Sequence, residues 1–449
     1  MKEKYKSIYK ELIKAYYDTK FEETFEKLIK NNFDNIDEAK EILAIMCGVE
    51  ADLGADEHTY MQSIVHGITN QHVRHKIIQK VRNCSSDCEH INGKSKCQST
   101  CPFDAIISEK DGTKWIDPNL CLNCGKCVTA CDAGNYLDTP QFLPLAELLK
   151  QKQKVVAIIA PAIAGQFGKD VTLDQLREAF IKVGFTDMLE VAVAADILSI
   201  KEALEFDAHV HKKGDFMITS CCCPMWVAAL RKVYNKLVPD VSPSVSPMIA
   251  MARVVKAINK DVKVVFIGPC IAKKAEAKEP DLKGDVDFVL TFAETKLIFE
   301  ALNIDVANCK GIPSVDYAAT GGRLYARTGG VSQAVWDIID ELLPEKRQLF
   351  TSMQVDGMKD CKSLLEELEQ GKARASFIEG MGCKGGCVGG PKAIIPANEG
   401  REAVNEMAKE SAIKIPIHSD VLLGLLKKLG INSYHELMDN HSMFERKLE

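Results

Sequence analysis

Cysteine placement constrains this chain more than anything else in its sequence. Of seventeen cysteines in 449 residues, all but Cys47, Cys309 and Cys361 fall into compact motifs. The motifs are Cys84, Cys88, Cys97 and Cys101; Cys121, Cys124, Cys127 and Cys131; the run Cys221-Cys222-Cys223-Pro224; Cys270; and Cys383 with Cys387. Many of these thiols stand beside Gly or Pro, where backbone can come close to a bulky inorganic group. The three isolated cysteines are expected to be packing residues. Thiolate clusters call for soft-ligand metals. Disulfides are the poorer reading if the compartment is a reducing cytoplasm. The charged start Met1-Lys2-Glu3-Lys4-Tyr5 lacks the apolar core of a secretory signal, and no twin-arginine signal is present. No apolar run reaches the ~20 residues that span a bilayer. The expectation is therefore a cytoplasmic protein that engages neither membrane nor, with a net charge of −6, nucleic acid.

The chain divides into four stretches. Residues 1–80 read as helices, with Tyr5, Ile8, Tyr9, Leu12, Ile13 and Tyr16 at helical spacing, and a fourth helix expected over His58–Val81. Residues 81–140 are rich in Cys, Asn, Gly and Asp, and too short of apolar residues to build a core unaided. Within 141–400 short apolar runs alternate with amphipathic ones, the pattern of βαβ units. Strands are expected at Val155–Ala160, Met188–Val193, Phe216–Thr219, Val262–Ile267, Asp287–Thr291 and Ala375–Ile378. Three of these run into cysteine motifs. The carboxyl ends of parallel strands share one edge, so motifs distant in sequence can meet there. Residues 401–449 read as a helical tail broken near Pro416.

The spacing C-x2-C-x2-C-x3-C over Cys121–Cys131 is that of a bacterial two-cluster ferredoxin, and the run Cys101-Pro102 resembles its other half. By the interleaved rule of such ferredoxins, one [4Fe-4S] cluster takes Cys84, Cys88, Cys97 and Cys131. The other takes Cys101, Cys121, Cys124 and Cys127. A pair of zinc sites is the rival, but zinc sites usually use two C-x2-C pairs or bring histidines.

Beyond Val155 the runs Thr219-Ser220-Cys221-Cys222-Cys223-Pro224-Met225-Trp226, Gly268-Pro269-Cys270-Ile271-Ala272-Lys273 and Glu379-Gly380-Met381-Gly382-Cys383-Lys384-Gly385-Gly386-Cys387 resemble the active-site signature of the [FeFe] hydrogenases. The resemblance implies an α/β catalytic domain of two lobes with parallel sheets. It also implies an H-cluster: a [4Fe-4S] cubane joined through one cysteine to a di-iron unit with CO, cyanide and azadithiolate ligands. Carried over motif by motif, the cubane ligands are Cys223, Cys270, Cys383 and Cys387, with Cys387 as the bridge. Lys273 would donate to a cyanide, Pro161 and Ala162 would lie beside the other, and Met381 would line the cofactor. Gly385, Gly386, Gly389 and Gly390 would let backbone press against the cluster.

The same resemblance implies a proton path. A thiol with a reference pKa of about 8.5 can give and take a proton reversibly. Aligned on Pro224 that thiol is Cys222; aligned on Thr219-Ser220 it is Cys221, with Cys222 as ligand. Further carriers would be Glu202 and Glu205, i and i+3 neighbours on one helix, with Ser242 and Glu276. In the pair Lys273-Lys274, Lys274 reads as the surface lysine. The third cysteine of the first motif, and Gly268 where a methionine is usual, resemble the group B hydrogenases. The activity implied is reversible interconversion of H2 with protons and electrons, with a ferredoxin-type electron carrier and di-iron maturation proteins as partners. A low-turnover H2 or redox sensor, or an iron–sulfur carrier that lacks the di-iron unit, are the alternatives.

Overall fold

The computed structural model describes residues 2–84, 88, 90–110, 112–219, 221–313 and 317–448; Ser220 of the first motif and the side chain of His90 lie outside them. Its centre holds two parallel sheets. In the larger, Phe288–Thr291, Lys263–Gly268, Val155–Ile159 and Asp187–Glu190 lie side by side in that order. Ala157 stands opposite both Val265 and Met188. Every residue of Val155–Ile159 is buried, as a strand covered on both faces requires. In the smaller sheet Phe377–Met381 is central, flanked by Ser352–Asp356 and Met217–Ile218.

Two strand expectations need correction. The strand expected over Met188–Val193 ends at Glu190, and Ala192–His209 is a helix. That helix is buried continuously from Ala192 to Phe206, so it carries no amphipathic period to separate it from a buried strand. Ser352–Asp356 was not expected at all. It is a partly exposed edge strand, and its polar alternation resembles a loop.

At the amino end the helices are Glu3–Tyr17, Phe21–Asn32, Ile36–Cys47 and Glu57–Thr69. Asp56 caps the last, accepting from the amides of His58 and Thr59 at 3.0 and 3.1 Å. That helix stops at Thr69, well before Val81. Ile78–Lys80 is instead a strand paired antiparallel with Tyr136–Asp138. The first helix rests on Phe292–Ala301, with Lys10 paired to Glu300 at 3.0 Å.

Between the paired strands lie two five-residue helices, Lys96–Thr100 and Lys126–Ala130, and the hairpin Ile106–Ser108/Lys114–Ile116. The small apolar cluster of this module contains Ile77, Ile78, Ile106, Val128 and Tyr136, and is completed by Ile271 from outside the module. The carboxyl-terminal segment forms Ala397–Lys409 and Asp420–Lys428, and a last turn, His441–Phe444. It then runs beside residues 243–245, with the Val245 amide on the Phe444 carbonyl at 2.8 Å and the Arg446 amide on that of Pro243 at 2.9 Å. Among the described residues no helix is long and apolar enough to cross a membrane.

Candidate active site

In the small module the two sets of cysteines occupy matching positions. The amides four residues beyond Cys101 and Cys131, those of Ala105 and Asn135, both donate to the sulfur at 3.3 Å. Asn123 donates likewise to Cys121 at 3.4 Å. Amide donors aimed at sulfur are what tune an iron–sulfur cluster. Some of these thiols have other module cysteines among their electrostatic neighbours. Burial raises the Cys88 thiol first, and then the fields of Cys84, Cys97 and Cys131 add to it. Burial also raises Cys127, followed by Cys124, Cys121 and Cys101. Among the described residues, no three Cys, His, Asp or Glu gather closely enough for one metal ion.

Three strand ends deliver the remaining motifs. Met217–Ile218 leads to Cys221, Cys222 and Cys223, and the helix Pro224–Lys232 starts directly after. Proline at its first position suits a helix start. The indole of Trp226 donates to the Thr219 carbonyl at 2.9 Å, which ties the helix back to the strand end. Lys263–Gly268 leads to Cys270, and Phe377–Met381 leads to Cys383 and Cys387. The Gly382 amide donates to Cys223 Sγ at 3.2 Å, joining the first and third motifs. Burial pushes Cys270 up to about 11, and Cys223 adds to it. Burial pushes Cys387 up to about 12, with Cys223 and Cys270 next. Burial also raises Cys383 well above an ordinary thiol, with Cys270, Cys223 and Cys387 adding. Four thiols, Cys223 buried and the other three half-buried, thus act on one another, and their thiolates need a positive centre to be stable.

Two glycines of the third-motif region also serve contacts within the protein. A Cβ on Gly386, whose φ is +88°, would come within 2.6 Å of the Thr328 amide nitrogen, and one on Gly390 within 2.8 Å of the Pro269 carbonyl. They permit close approach of one protein backbone to another, and so fix the loops that carry the sulfurs.

Lys273 is buried, 2.7 Å from Glu276 Oε2. The contact is an ion pair without hydrogen-bond alignment, since neither Lys273 Nζ nor Glu276 Oε2 has a directed partner. A buried ammonium with donors to spare beside four thiols fits an anionic cofactor with acceptor ligands. The donor set therefore fits the cubane and di-iron unit: four sulfurs and one ammonium with donors to spare beyond its ion pair with Glu276. Ala162 and Met381 are both buried. Pro161, at the start of the turn Pro161–Ile163, is half-buried. Lys274 is no surface residue. It is fully buried, bound to Glu294 at 2.8 Å and to the Thr139 carbonyl at 2.7 Å. Asp138, at the end of the module, arrives beside it and pairs with Lys392 at 2.6 Å.

The two candidate proton-carrying thiols face different neighbours. Cys222 is raised first by burial, then by Cys387 and Cys223, while Lys273 opposes. Cys221 instead points its Sγ at Glu202 Oε1, 3.4 Å away. The other Glu202 oxygen accepts from Thr219 Oγ1 at 2.6 Å. Burial, then the Glu205 charge, pushes Glu202 up to about 8. Ser242 Oγ donates to Glu205 Oε2 at 2.6 Å. Both glutamates are buried on the Ala192–His209 helix, so neither is a solvated surface charge. Glu276 faces Lys273 and Glu202 faces Cys221, so the expected carriers form two groups.

Three residues escaped sequence reasoning. Tyr325 accepts from Ser199 Oγ at 3.0 Å, in the field of Glu202, Cys221 and Cys222. No pattern in the sequence marks it. Lys201, fully buried, pairs with Glu205; a charge within the apolar stretch Leu198–Leu204 was its signal. Phe266 fills the space left by Gly268, whose Cβ would lie 2.6 Å from its ring.

Residues 153–391 match the family described as iron only hydrogenase large subunit, C-terminal domain. The chain belongs to this family. A subunit of the NADP-reducing hydrogenase of Solidesulfovibrio fructosivorans is 28% identical over 343 residues, covering 64% of this chain. The chain spans 58% of that relative's length. The cytosolic iron-sulfur assembly component 3 of Rattus norvegicus is 22% identical over 365 residues, covering 67% of this chain and 77% of its own. The fold is shared with an apo [FeFe]-hydrogenase structure from Chlamydomonas reinhardtii, at a TM-score of 0.53 and 21% identity, over 65% of this chain and 93% of the other.

Proposed function

We propose that this chain is an [FeFe] hydrogenase of the three-cysteine, group B-like type, interconverting H2 with protons and electrons. The observation that carries the reading is Lys273, a buried ammonium without a directed hydrogen bond, set beside Cys222, Cys270 and Cys387. An iron–sulfur carrier needs the four thiols; it has no use for a buried ammonium that, beyond its one ion pair with Glu276, keeps donors to spare beside them.

When bound, the cubane and di-iron unit supply the open iron, the bridging amine and the electron store for heterolytic H2 cleavage. The protein's part is to bind, orient and exclude water. Cys223, Cys270, Cys383 and Cys387 hold the cubane, and Lys273 anchors the anionic half. Cys222, nearest to Cys387 and Lys273 in its electrostatic surroundings, gives or takes the proton at the cofactor. Cys221 stands on Glu202 and passes it inward or outward. The module's cysteines, Cys84, Cys88, Cys97 and Cys131 in one set and Cys101, Cys121, Cys124 and Cys127 in the other, would hold two accessory [4Fe-4S] clusters, which would supply a route for electrons to a ferredoxin-type carrier. The set holding Cys124 is the inner one, since Cys124 is among the groups whose field reaches Cys383. Maturation proteins deliver the di-iron unit, and a reducing cytoplasm suits seventeen unbridged thiols.

The assembly-protein relative supports a second reading, a carrier with cubanes alone. Iron content separates the two: about fourteen per matured chain for the hydrogenase or a sensor with its cofactor, about twelve for the carrier. Matured chain is expected to show CO and cyanide infrared bands and to turn over H2 in both directions with a ferredoxin; bands with negligible turnover would mean the sensor. Cys222→Ala should abolish turnover and keep the bands. Loss of the cubane in that variant would move the ligand from Cys223 to Cys222.

A further inference from the structure

We propose that the carboxyl-terminal segment carries the outer end of the proton path, with Lys201, Glu445 and His441 linking the buried Glu205 carboxylate to solvent. The proposal rests on the hydrogenase reading. Lys201 Nζ contacts Glu205 Oε1 on one side and lies 2.9 Å from Glu445 Oε1 on the other. Ser244 Oγ stands 3.4 Å from both Lys201 Nζ and Glu205 Oε1. The second Glu445 oxygen meets His441 Nδ1. Side-chain exposure climbs along this line, from 0% at Lys201 to 17% at Glu445 and 70% at His441. The line starts at the carboxylate that Ser242 already holds.

Among the described residues Lys201 Nζ contacts Glu205, Ser244 and Glu445, and its charge also reaches Glu202, the next residue on its helix. The Ala192–His209 helix presents Lys201 and Glu205, the segment 242–244 presents Ser242 and Ser244, and the tail presents Glu445 and His441. The tail is held firmly. Arg253 donates to the carbonyls of Ser442, Met443 and Glu445 at 3.2, 3.3 and 3.0 Å. Arg446 pairs with Asp281 at 3.1 Å. A buried lysine between two carboxylates is also what a static ion triad looks like. A static triad does not call for an exposed imidazole on the outer oxygen, one helical turn before Glu445. A conduit does, because the imidazole can exchange protons with water through its second nitrogen.

The transfer balances. Lys201 takes a proton from Glu205 as it gives another to Glu445. Glu445 passes one to His441 Nδ1, and His441 Nε2 releases one to water. One proton leaves, and each group regains its charge once the ring returns to its first tautomer. The reverse order brings a proton in.

The test uses His441→Ala and Glu445→Gln in the full chain. In the chain without cofactor, exchange of the Lys201 ammonium protons with water, read by 15N NMR, is expected to slow on the order of a hundredfold in His441→Ala, the low end for a positioned proton carrier. Free imidazole should restore it. Glu445→Gln should slow it equally, without rescue by imidazole. In matured protein, turnover should fall in the same proportion with unchanged infrared bands, again rescued by imidazole only in His441→Ala. Unchanged ammonium exchange in His441→Ala, or a loss of turnover that imidazole does not repair, overturns the path. If the matured parent chain fails to turn over H2, the hydrogenase reading falls, while the ammonium exchange still decides the path.

Discussion

The cysteine module and the two-sheet core hold their sulfurs by opposite means. In the module, helices of five residues and three short strand pairs surround a handful of apolar side chains, one of them Ile271 from outside the module. Its thiols receive backbone amides, but little else orders the chain there. In the core, buried parallel strands carry Cys223, Cys270, Cys383 and Cys387 at their ends, and backbone contacts at Gly386 and Gly390 lock the loops together. On the proposed reading the first region is expected to need metal to be a structure, whereas the second is a structure that can receive metal.

The largest expected effect breaks the two apart. Removing iron should bring backbone amides of residues 78–138 to near-unfolded exchange rates, while Val155–Ile159, Lys263–Gly268 and Phe377–Met381 remain protected. Equal protection of both regions in metal-free protein, measured by hydrogen exchange, would erase the distinction.

If the core is pre-formed, it should be sensitive to its own buried charges even without metal. Lys273→Met leaves Glu276 as an unpaired buried carboxylate, at a cost of about 3–5 kcal/mol. Adding Glu276→Gln should recover most of this. Denaturant unfolding of both variants and the pair gives the coupling directly.

A smaller effect concerns pH. Glu202 rises from 4.5 to about 8 because it is buried. The folded chain therefore binds a proton there that the unfolded chain has already lost. The stabilising contribution is full below about pH 4.5 and is lost as pH climbs through about 8. Glu202→Gln should flatten this part of the stability–pH profile, on the order of a few kcal/mol. Asp196, also raised to about 8 by burial, should keep a residual slope of the same sign. An unchanged profile in Glu202→Gln would place that proton elsewhere.

The smallest effect probes packing. Gly268→Ala would drive a methyl into the Phe266 ring, costing about 1–3 kcal/mol. In a Phe266→Ala background the same change should cost almost nothing. Equal costs in both backgrounds would show that Phe266 is not what excludes a side chain at Gly268.

Much of the site was legible because its chemistry is written in short spans. The cysteine spacings, and apolar runs such as Val155–Ile159, carry their meaning within a few residues. The start of the helix at Ala192 was not legible, because Val191 to Ala195 is equally apolar as a buried strand or a buried helix. Lys274 looked solvated because its partners, Asp138 and Glu294, lie in other elements. Lys201 meets Glu445 from the far end of the chain, and Phe266 shows its role only against the backbone of Gly268. Local spacing identifies ligands; what surrounds them is settled by contacts between distant segments.

The borrowed Ile271 has a consequence of another kind. It follows Cys270 directly, and its side chain ends against Gly125, where a Cβ would lie 2.3 Å from its terminal methyl carbon. Gly125 in turn separates Cys124 from Lys126 and Cys127. One aliphatic side chain is therefore the gauge block between two sulfur sites, and its length sets their separation. Electron tunnelling falls off steeply with distance, so trimming Ile271 alters a spacing that neither site controls alone. On the proposed reading, the residue that completes the module's core also lines the gap an electron would cross.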